Sequence, residues 1–382
     1  MSIKISTANR VFINMTALRH NYREVKQLAA DRKVMAVVKS DGYGHGMVAS
    51  AHTLEQAGAD ALGVTEVMEG LMLREGGLKL PIYIMGGLSD RSQIEPALQQ
   101  NLSIFVPDIE QARAISDKAR ELQTTAHIHI KVDSGLGRRG LRKENCEEVL
   151  KEIMSWPNLD IQGLATHLAT AGDQGAHNQL ETFDNLCYRA NLLGLPGRLN
   201  TALNSGGLIW HAEHQAPMVR IGLMLYGAHP GPELGPVRPD LRGAMTVLSR
   251  ITHIHELAAG EALGYGRTFV ARRPMRVAVV PFGYSQGLLR SRSGRGWVLI
   301  RGQRAHQIGL ISMNASTYDV SNIPEAVLGD NVVILGRHST GNIQAGDLAA
   351  WSGTTPYEIL NLLGRLNPRY IEGSDYEEDV EL

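Results

Sequence analysis

The sequence predicts an α/β protein: an N-terminal (β/α)8 barrel of the TIM type over residues 1–240, then a C-terminal mainly-β domain over residues 241–382. Three observations carry this. The chain has 382 residues, more than one hydrophobic core normally serves. Through the first ~230 residues, apolar runs of strand length alternate with amphipathic helix-like segments, as repeated βαβ units do. After Pro239 the alternation stops, and short strand-like runs follow one another with turn residues between them.

In chain order the barrel strands are expected at Val34–Lys39, Ala61–Thr65, Pro81–Met85, Ser103–Pro107, His127–Asp133, Ile161–His167, Arg198–Asn204 and Met218–Leu223. Stretches such as "GHGMVASAHTLEQAG", "IEQARAISDKARELQ" and "NCEEVLKEIMSW" supply helices between them. Such alternation admits a doubly wound sheet or a closed barrel; a count of eight favours the barrel. The Pro/Gly cluster Gly227–Pro239 marks the hinge. Beyond it, "MTVLSRITHIHEL", "MRVAVVPFGYSQG", "RGWVLIRG", "HQIGLISM" and "AVLGDNVVILG" read as strands, and "PYEILNLLGRL" as a late helix. No fixed-period repeat and no low-complexity linker interrupts the chain.

Composition narrows the function. The apolar fraction is 43%, the charged fraction 20% and the net charge -1, which gives no electrostatic case for nucleic acid or an anionic membrane surface. The acidic end "GSDYEEDVEL" reads as a solvated tail. Cys146 and Cys187 lack C-x-x-C or metal spacing, so a reducing compartment is the simplest reading, with one disulfide as the alternative. The start "MSIKISTANRVF" has no apolar signal region and no 18-residue apolar run occurs, so a cytoplasmic protein is expected.

In a (β/α)8 barrel the reacting groups sit where strands end and βα loops begin. "AVVKSDGYGHG" ends the first strand on Lys39 and continues into a glycine-rich turn with Tyr43. A lysine at a strand end is an ordinary solvated residue, but a desolvated one can form a Schiff base. The other strand ends change the weighing. Strand five ends "KVDSGLGRRG", with Lys131, Asp133 and Arg138; strand six ends on His167; strand seven ends "LNSGG", with Asn204 and Ser205; strand eight carries Arg220 and Gly222. Loops after strands seven and eight commonly bind phosphate. A lysine facing such a cradle is the layout for pyridoxal 5'-phosphate, and Arg220 is available opposite its ring nitrogen. "LGYGRTF" places Tyr265 between glycines in the second domain.

Together these motifs, in this order and over nearly the whole chain, resemble alanine racemase, the fold-type III pyridoxal-phosphate family. The resemblance implies roles. Lys39 holds the cofactor; Tyr43, Ser205, Gly222 and Tyr357 hold its phosphate beside Asn204; Arg220 faces the pyridine nitrogen; His167 lies against the ring. Arg138 contacts the phenolic oxygen, braced by Lys131, which family members often carry as a carbamate. Tyr265 is the second acid/base and enters the site from the partner subunit of a homodimer, with Met313 and Tyr284 near the substrate. The implied reaction is racemisation of alanine, an amino-acid isomerase activity supplying D-alanine for peptidoglycan.

Four positions depart from the family pattern. Ser40 and Gly42 stand where alanine is usual, and Asn314 and Gln286 stand where aspartate is usual, removing negative charge near the substrate entrance. That keeps open a racemase for serine or basic amino acids. A non-enzymatic barrel carrier of the cofactor would lack the second domain, and a decarboxylase of the same fold type would carry an acid in place of Arg220. Met85, at the end of strand three, reads as core. His211 and His214 have a spacing that could hold a metal but no third ligand, so no metal is expected. His127 and His129 share a strand face and read as a packed pair.

Overall fold

The computed structural model describes residues 7–231, 235–338 and 341–373. The first strand among the described residues, β1 (Arg10–Asn14), takes no part in the barrel. Strands β2 (Lys33–Val37), β3 (Ala61–Val64), β4 (Ile82–Ile84), β5 (Leu102–Val106) and β6 (Ala126–Asp133) then pair in parallel, each with the next. The two-residue β7 (Leu141–Arg142) extends β6 at its end. β8 (Leu159–Ala165) pairs with β6, and β9 (Met218–Ile221) pairs with β2.

The seventh barrel position differs from expectation. In place of a strand over Arg198–Asn204, Thr201 alone bridges Ala165 of β8 and Met218 of β9. Around it, the Thr201 amide donates to the Leu164 carbonyl at 2.9 Å and the Met218 amide to the Asn200 carbonyl at 3.3 Å. The ladder is thinned because the Asn200 side chain takes over part of it: its Oδ1 accepts from the Leu164 amide at 2.7 Å. The ring still closes, as eight parallel positions around a packed interior. Strands β2 and β8 also end earlier than expected, at Val37 and Ala165, so Lys39 and His167 stand on the loops just beyond the strands.

The interior floor is apolar and aromatic, with Met35, Ala61, Tyr83, Phe105, Ala165 and Met218 packed together. Helices cover the outside through amphipathic faces. In Met15–Ala29, Leu18, Tyr22 and Val25 point inward, and Asn14 caps the helix by accepting from the Ala17 amide at 2.9 Å.

The second domain is a largely antiparallel sheet. It comprises β10 (Met245–Arg250), β11 (His253–Leu257), β14 (Met275–Val280), β15 (Trp297–Ile300), β16 (Gln303–Ile308), β17 (Ser316–Asp319), β18 (Asn331–His338) and β20 (Arg369–Glu372). The short pair β12 (Ala262–Leu263) and β13 (Phe269–Val270) flanks Tyr265, and β19 (Gly341–Ile343) pairs with β18. β1 lies in this sheet, antiparallel to β10 and parallel to β20. A division at residue 240 therefore misplaces Arg10–Asn14. The physical reason is a two-residue alternation with Val11 and Ile13 buried, which suits a sheet with one covered face. The strand-like runs expected here do not include β12, β13, β17, β19 or β20, nor the helix Ala345–Ser352.

At the hinge, Gly227 has φ 82°, and a Cβ there would lie 1.9 Å from the Arg242 carbonyl oxygen. Residues 232–234 of that cluster, the acidic tail from residue 374 and the first six residues lie outside the described residues. Among the described residues no helix is long and apolar enough to cross a membrane.

Gly163 on β8 lets the thin seventh position approach, since a Cβ there would lie 2.8 Å from the Asn200 amide nitrogen. Gly163→Ala is expected to lower stability by about 1–3 kcal/mol, read as a reduced urea midpoint with unchanged slope. An unchanged midpoint would show that the seventh position tolerates displacement.

Candidate active site

The barrel's strand ends open into a cleft of about 560 Å³. Its lining includes Lys39, Tyr43, Lys131, Arg138, His167, Asn204, Ser205, Arg220, Gly222 and Tyr357, ten of the residues singled out from the sequence. Tyr265, Tyr284 and Met313 do not line it; they lie on the second domain's surface, 68%, 41% and 55% exposed.

Arg220 anchors the site. It leaves β9 fully enclosed, with Nη1 donating to Thr201 Oγ1 at 2.8 Å and Nη2 to the Thr166 carbonyl at 2.6 Å. Nη2 also lies 3.3 Å from His167 Nδ1. None of these partners carries a negative charge. Burial lowers the Arg220 pKa to about 10, still well above neutrality. Because a guanidinium can only donate, His167 Nδ1 accepts, and the imidazole proton sits on Nε2. Burial, then the charges of Arg220, Lys131, Arg138 and Lys39, push the His167 pKa down to about 2. Gln179 steadies this loop, its Oε1 accepting from the Ala169 amide at 2.8 Å and its Nε2 donating to the His167 carbonyl at 3.3 Å.

Lys131 follows His129 by two residues on β6 and so faces the same interior. Burial, with Arg220 and Arg138 nearby, lowers its pKa to about 7. Lys39 is lowered as well, chiefly by burial and then by Arg138. Asp133 does not line the cleft; its Oδ1 accepts from the Gly135 and Gly137 amides, both at 3.0 Å, and its Oδ2 pairs with Arg142 at 3.2 Å. Burial alone would raise this carboxyl, but those amides and Arg142 hold it below the ordinary range. Asp133 thus shapes the loop that carries Arg138.

On the opposite wall, Gly222 donates its amide to Ser205 Oγ at 3.2 Å. A Cβ on Gly222 would lie 2.2 Å from the Tyr43 hydroxyl, so only glycine admits that phenol. The Tyr43 and Tyr357 ring centroids are 6.0 Å apart. Asn204 caps the following turn, its Oδ1 accepting from the Gly207 amide at 2.9 Å. The cleft wall thus gathers the hydroxyls of Tyr43, Ser205 and Tyr357 around a glycine with no side chain.

Lys39 and Tyr43 flank an unusual turn. Ser40, Asp41, Gly42 and Tyr43 are successive left-handed residues, with φ of 53°, 57°, 61° and 55°. Each residue with a Cβ in that region costs roughly 1–2 kcal/mol. The Ser40 amide is held by Glu69 Oε1 at 2.6 Å, and His45 Nδ1 sits 3.0 and 3.1 Å from the Gly42 and Tyr43 carbonyls.

Sequence reasoning missed Arg139, which also lines the cleft and donates from Nη1 to the Gly86 carbonyl at 2.7 Å. Its position beside Arg138 was the only signal. With it the lining holds five cationic side chains (Lys39, Lys131, Arg138, Arg139 and Arg220) and no carboxylate. Thr65, Gly86 and Phe105 complete the wall at the ends of β3, β4 and β5, and Met85 joins them. His211 and His214 diverge, one to the Ala171 carbonyl and the other to Asp184. His127 pairs with Asp160, while His129 is buried against Phe105. Among the described residues no group of three His, Cys, Asp or Glu side chains gathers.

A cleft lined by five basic side chains and no carboxylate, with two lysines of lowered basicity and a hydroxyl-lined pocket, suits an anionic, aldehyde-bearing phosphate cofactor. The cradle that a Gly222 Cβ would fill and the carboxylate-free lining fit pyridoxal 5'-phosphate. The fold and site thus define a barrel-plus-β-domain enzyme of the pyridoxal-phosphate class.

Comparison narrows that class. The alanine racemase N-terminal domain model matches residues 13–230 and the C-terminal domain model matches residues 244–371. The chain is 38% identical to an alanine racemase of Syntrophobacter fumaroxidans, over 93% of this chain and 95% of that protein. The crystal structure of the alanine racemase of a D-cycloserine-producing Streptomyces lavendulae superposes with a TM-score of 0.91 at 31% identity, covering 97% of this chain and 98% of that one. That of Bacillus anthracis with bound L-Ala-P superposes at 0.86 and 28% identity, over 96% of each. The chain belongs to the alanine racemase family, whose cofactor is pyridoxal 5'-phosphate.

The buried histidines set a pH dependence. His45 and His129 are lowered to about 4 by burial, and His167 to about 2. A histidine unfolds to a pKa near 6.5. Below that value the unfolded chain binds more protons than the folded one, so stability falls as pH drops. The thermal midpoint of the protein is expected to decline steadily from pH 7 to pH 4, less so in a His129→Gln variant. A flat midpoint would mean that these rings protonate in place.

Proposed function

We propose that this chain is a racemase that interconverts L- and D-alanine with pyridoxal 5'-phosphate, as a homodimer. The carrying observation is the cleft itself: five basic side chains, no carboxylate, and a lysine of lowered basicity at the barrel mouth. The family membership supports the substrate.

In this reading Lys39 holds the cofactor, and Tyr43, Ser205, Gly222 and Tyr357 hold its phosphate beside Asn204. Arg220 faces the ring nitrogen and His167 lies against the ring. Arg138, braced by Lys131, meets the phenolic oxygen and the substrate carboxylate; a neutral fraction of Lys131 suits it to carry a carbamate. The cofactor, when bound, withdraws electrons from the substrate α-carbon and so acidifies its proton. Lys39 Nζ then holds or delivers that proton on one face, helped by the burial that lowers its pKa. The other face needs a second base.

Tyr265 is that base. It is 68% exposed and outside its own chain's cleft, so it would serve the cleft of a second copy. His167, neutral and with its proton on Nε2, can donate to a phenolate there. Tyr284 and Met313 lie on the same domain, the Tyr284 amide bonding the Ser312 carbonyl at 3.1 Å and the Ser285 amide the Met313 carbonyl at 2.9 Å. They would line the substrate entrance of the partner's site. The barrel, with Tyr357 of its own second domain, would then bind the cofactor while the second domain of the partner copy supplies the second base. The two thiols, both free, fit a cytoplasmic enzyme supplying D-alanine for peptidoglycan.

Incubating the holoenzyme with L-alanine, L-serine and L-lysine, each followed by chiral chromatography, tests the substrate. Alanine is expected to convert at least ten times faster than the others. Faster conversion of serine or lysine would overturn alanine, and no conversion would overturn the racemase reading.

A mixing experiment tests the shared site. Lys39→Ala and Tyr265→Phe are each expected to reduce racemisation at least 100-fold. Reassociated mixtures of the two should regain roughly a quarter of wild-type activity, because half the dimers then hold one intact site. No recovery would place both bases in one chain.

A further inference from the structure

The left-handed turn between Lys39 and Tyr43 is held from outside the barrel as well as from within. Arg369, the first residue of β20, sends Nη1 to the Asp41 carboxylate and lies 3.3 Å from the Gly44 carbonyl. Asp41 is thereby committed on both oxygens, since Oδ1 accepts from the Met47 amide at 3.0 Å. The helix Pro356–Arg365, which precedes β20 and carries Tyr357, touches the same turn by backbone. A Cβ on Gly364 would lie 1.9 Å from the Gly44 carbonyl oxygen, and a Cβ on Gly44 would lie 2.5 Å from the Leu360 carbonyl oxygen. These two glycines allow the second domain to close directly on the turn.

A run of left-handed residues that includes three with Cβ atoms does not persist by its own preference. It stays because its surroundings over-determine it. Within the barrel unit those surroundings are Glu69 and His45; the only charged side chain that reaches it from the second domain, among the described residues, is Arg369. Lys39 and Tyr43 are the residues at the two ends of this turn. Any relaxation of Ser40–Gly42 towards ordinary backbone would swing both side chains away from the cleft.

We propose that Arg369 is a positioning residue. Through Asp41 and the Gly44 carbonyl it fixes the turn that aims Lys39 and Tyr43, so the second domain of a chain sets how tightly that same chain's barrel takes its cofactor. This rests on the reading of the cleft as the pyridoxal-phosphate site. It gives the second domain a duty towards its own barrel, separate from any it has towards a partner subunit.

The test uses purified holoenzyme: wild type, Arg369→Gln, Arg369→Lys, and Arg301→Gln. The last breaks a second-domain ion pair with Asp330 away from the cleft and controls for general destabilisation. Each is dialysed against a graded series of pyridoxal phosphate concentrations, and the retained cofactor is read by its absorbance. Thermal midpoints and amide exchange at Gly44 and Gly46, which donate to carbonyls of the turn, are measured in parallel. Arg369→Gln is expected to retain cofactor at least tenfold more weakly and to exchange those amides faster, with a thermal midpoint no lower than that of Arg301→Gln. Arg369→Lys should fall between it and wild type, because an ammonium can pair with Asp41 but lacks the planar fork. If Arg369→Gln fails to fold, Asp41→Asn, which keeps an acceptor for Met47, should show the same weakening. Retention equal to wild type in Arg369→Gln or Asp41→Asn, or an equal loss in Arg301→Gln, would overturn the proposal. A wild-type protein that does not retain the cofactor at all would instead overturn the reading on which it rests.

Discussion

A guanidinium buried without a carboxylate is the constraint from which the rest of this site follows. Arg220 is 5% exposed and bonds only to neutral groups: a hydroxyl, carbonyls and an imidazole. Its charge is hydrogen-bonded but not cancelled, and at low local dielectric it acts on everything near it. Burial first, and then this charge, push the His167 imidazole and the Lys131 amine towards their neutral forms. A neutral imidazole with its Nδ1 committed has one N–H left to give. The same uncancelled charge makes an anion the natural occupant of the cleft. One residue on β9 thereby adds to burial in keeping its neighbours neutral, and adds to the other basic groups of the cleft in favouring an anionic ligand.

Much of this is legible in the sequence. Apolar runs placed the eight barrel positions to within a few residues, because parallel strands buried on both faces must be apolar throughout. Nine of the cleft residues were legible because barrel strands converge their ends on one face, whereas Tyr357, on a second-domain helix, followed from the family resemblance alone. The failures have local causes. The seventh position looked like a strand, but Asn200 uses its side chain where a backbone carbonyl was expected. Arg10–Asn14 was overlooked because its partners lie more than 200 residues away, a pairing that no local pattern reveals. The glycine-rich composition marks a turn after Lys39 but not its conformation, which Ser40, Asp41 and Tyr43 share with Gly42 and which contacts from Glu69, His45 and Arg369 hold.

The two amides at unusual positions also acquire a physical account. Asn314 Oδ1 accepts from Ser285 Oγ and from Gln286 Nε2, the latter at 3.4 Å, and Gln286 Oε1 accepts from the Gly283 amide at 3.0 Å. Two carboxylates placed there would repel, whereas an amide pair has a donor for each acceptor. The changes therefore belong together, as one exchange of charge for hydrogen bonding beside Tyr284 and Met313.

The barrel supplies a lysine on one side of the cleft, and in the proposed reading Tyr265 of a second copy supplies the base on the other. Racemisation by two bases on opposite faces is thus the central claim. Its most direct test is to racemise L-alanine in D2O and stop the reaction early. The account predicts that the D-alanine formed carries deuterium at the α-carbon, because it is protonated by a group other than the one that took the original proton, while unreacted L-alanine keeps its protium. D-alanine that retains protium would mean that one base carries the proton across both faces, and would contradict the account.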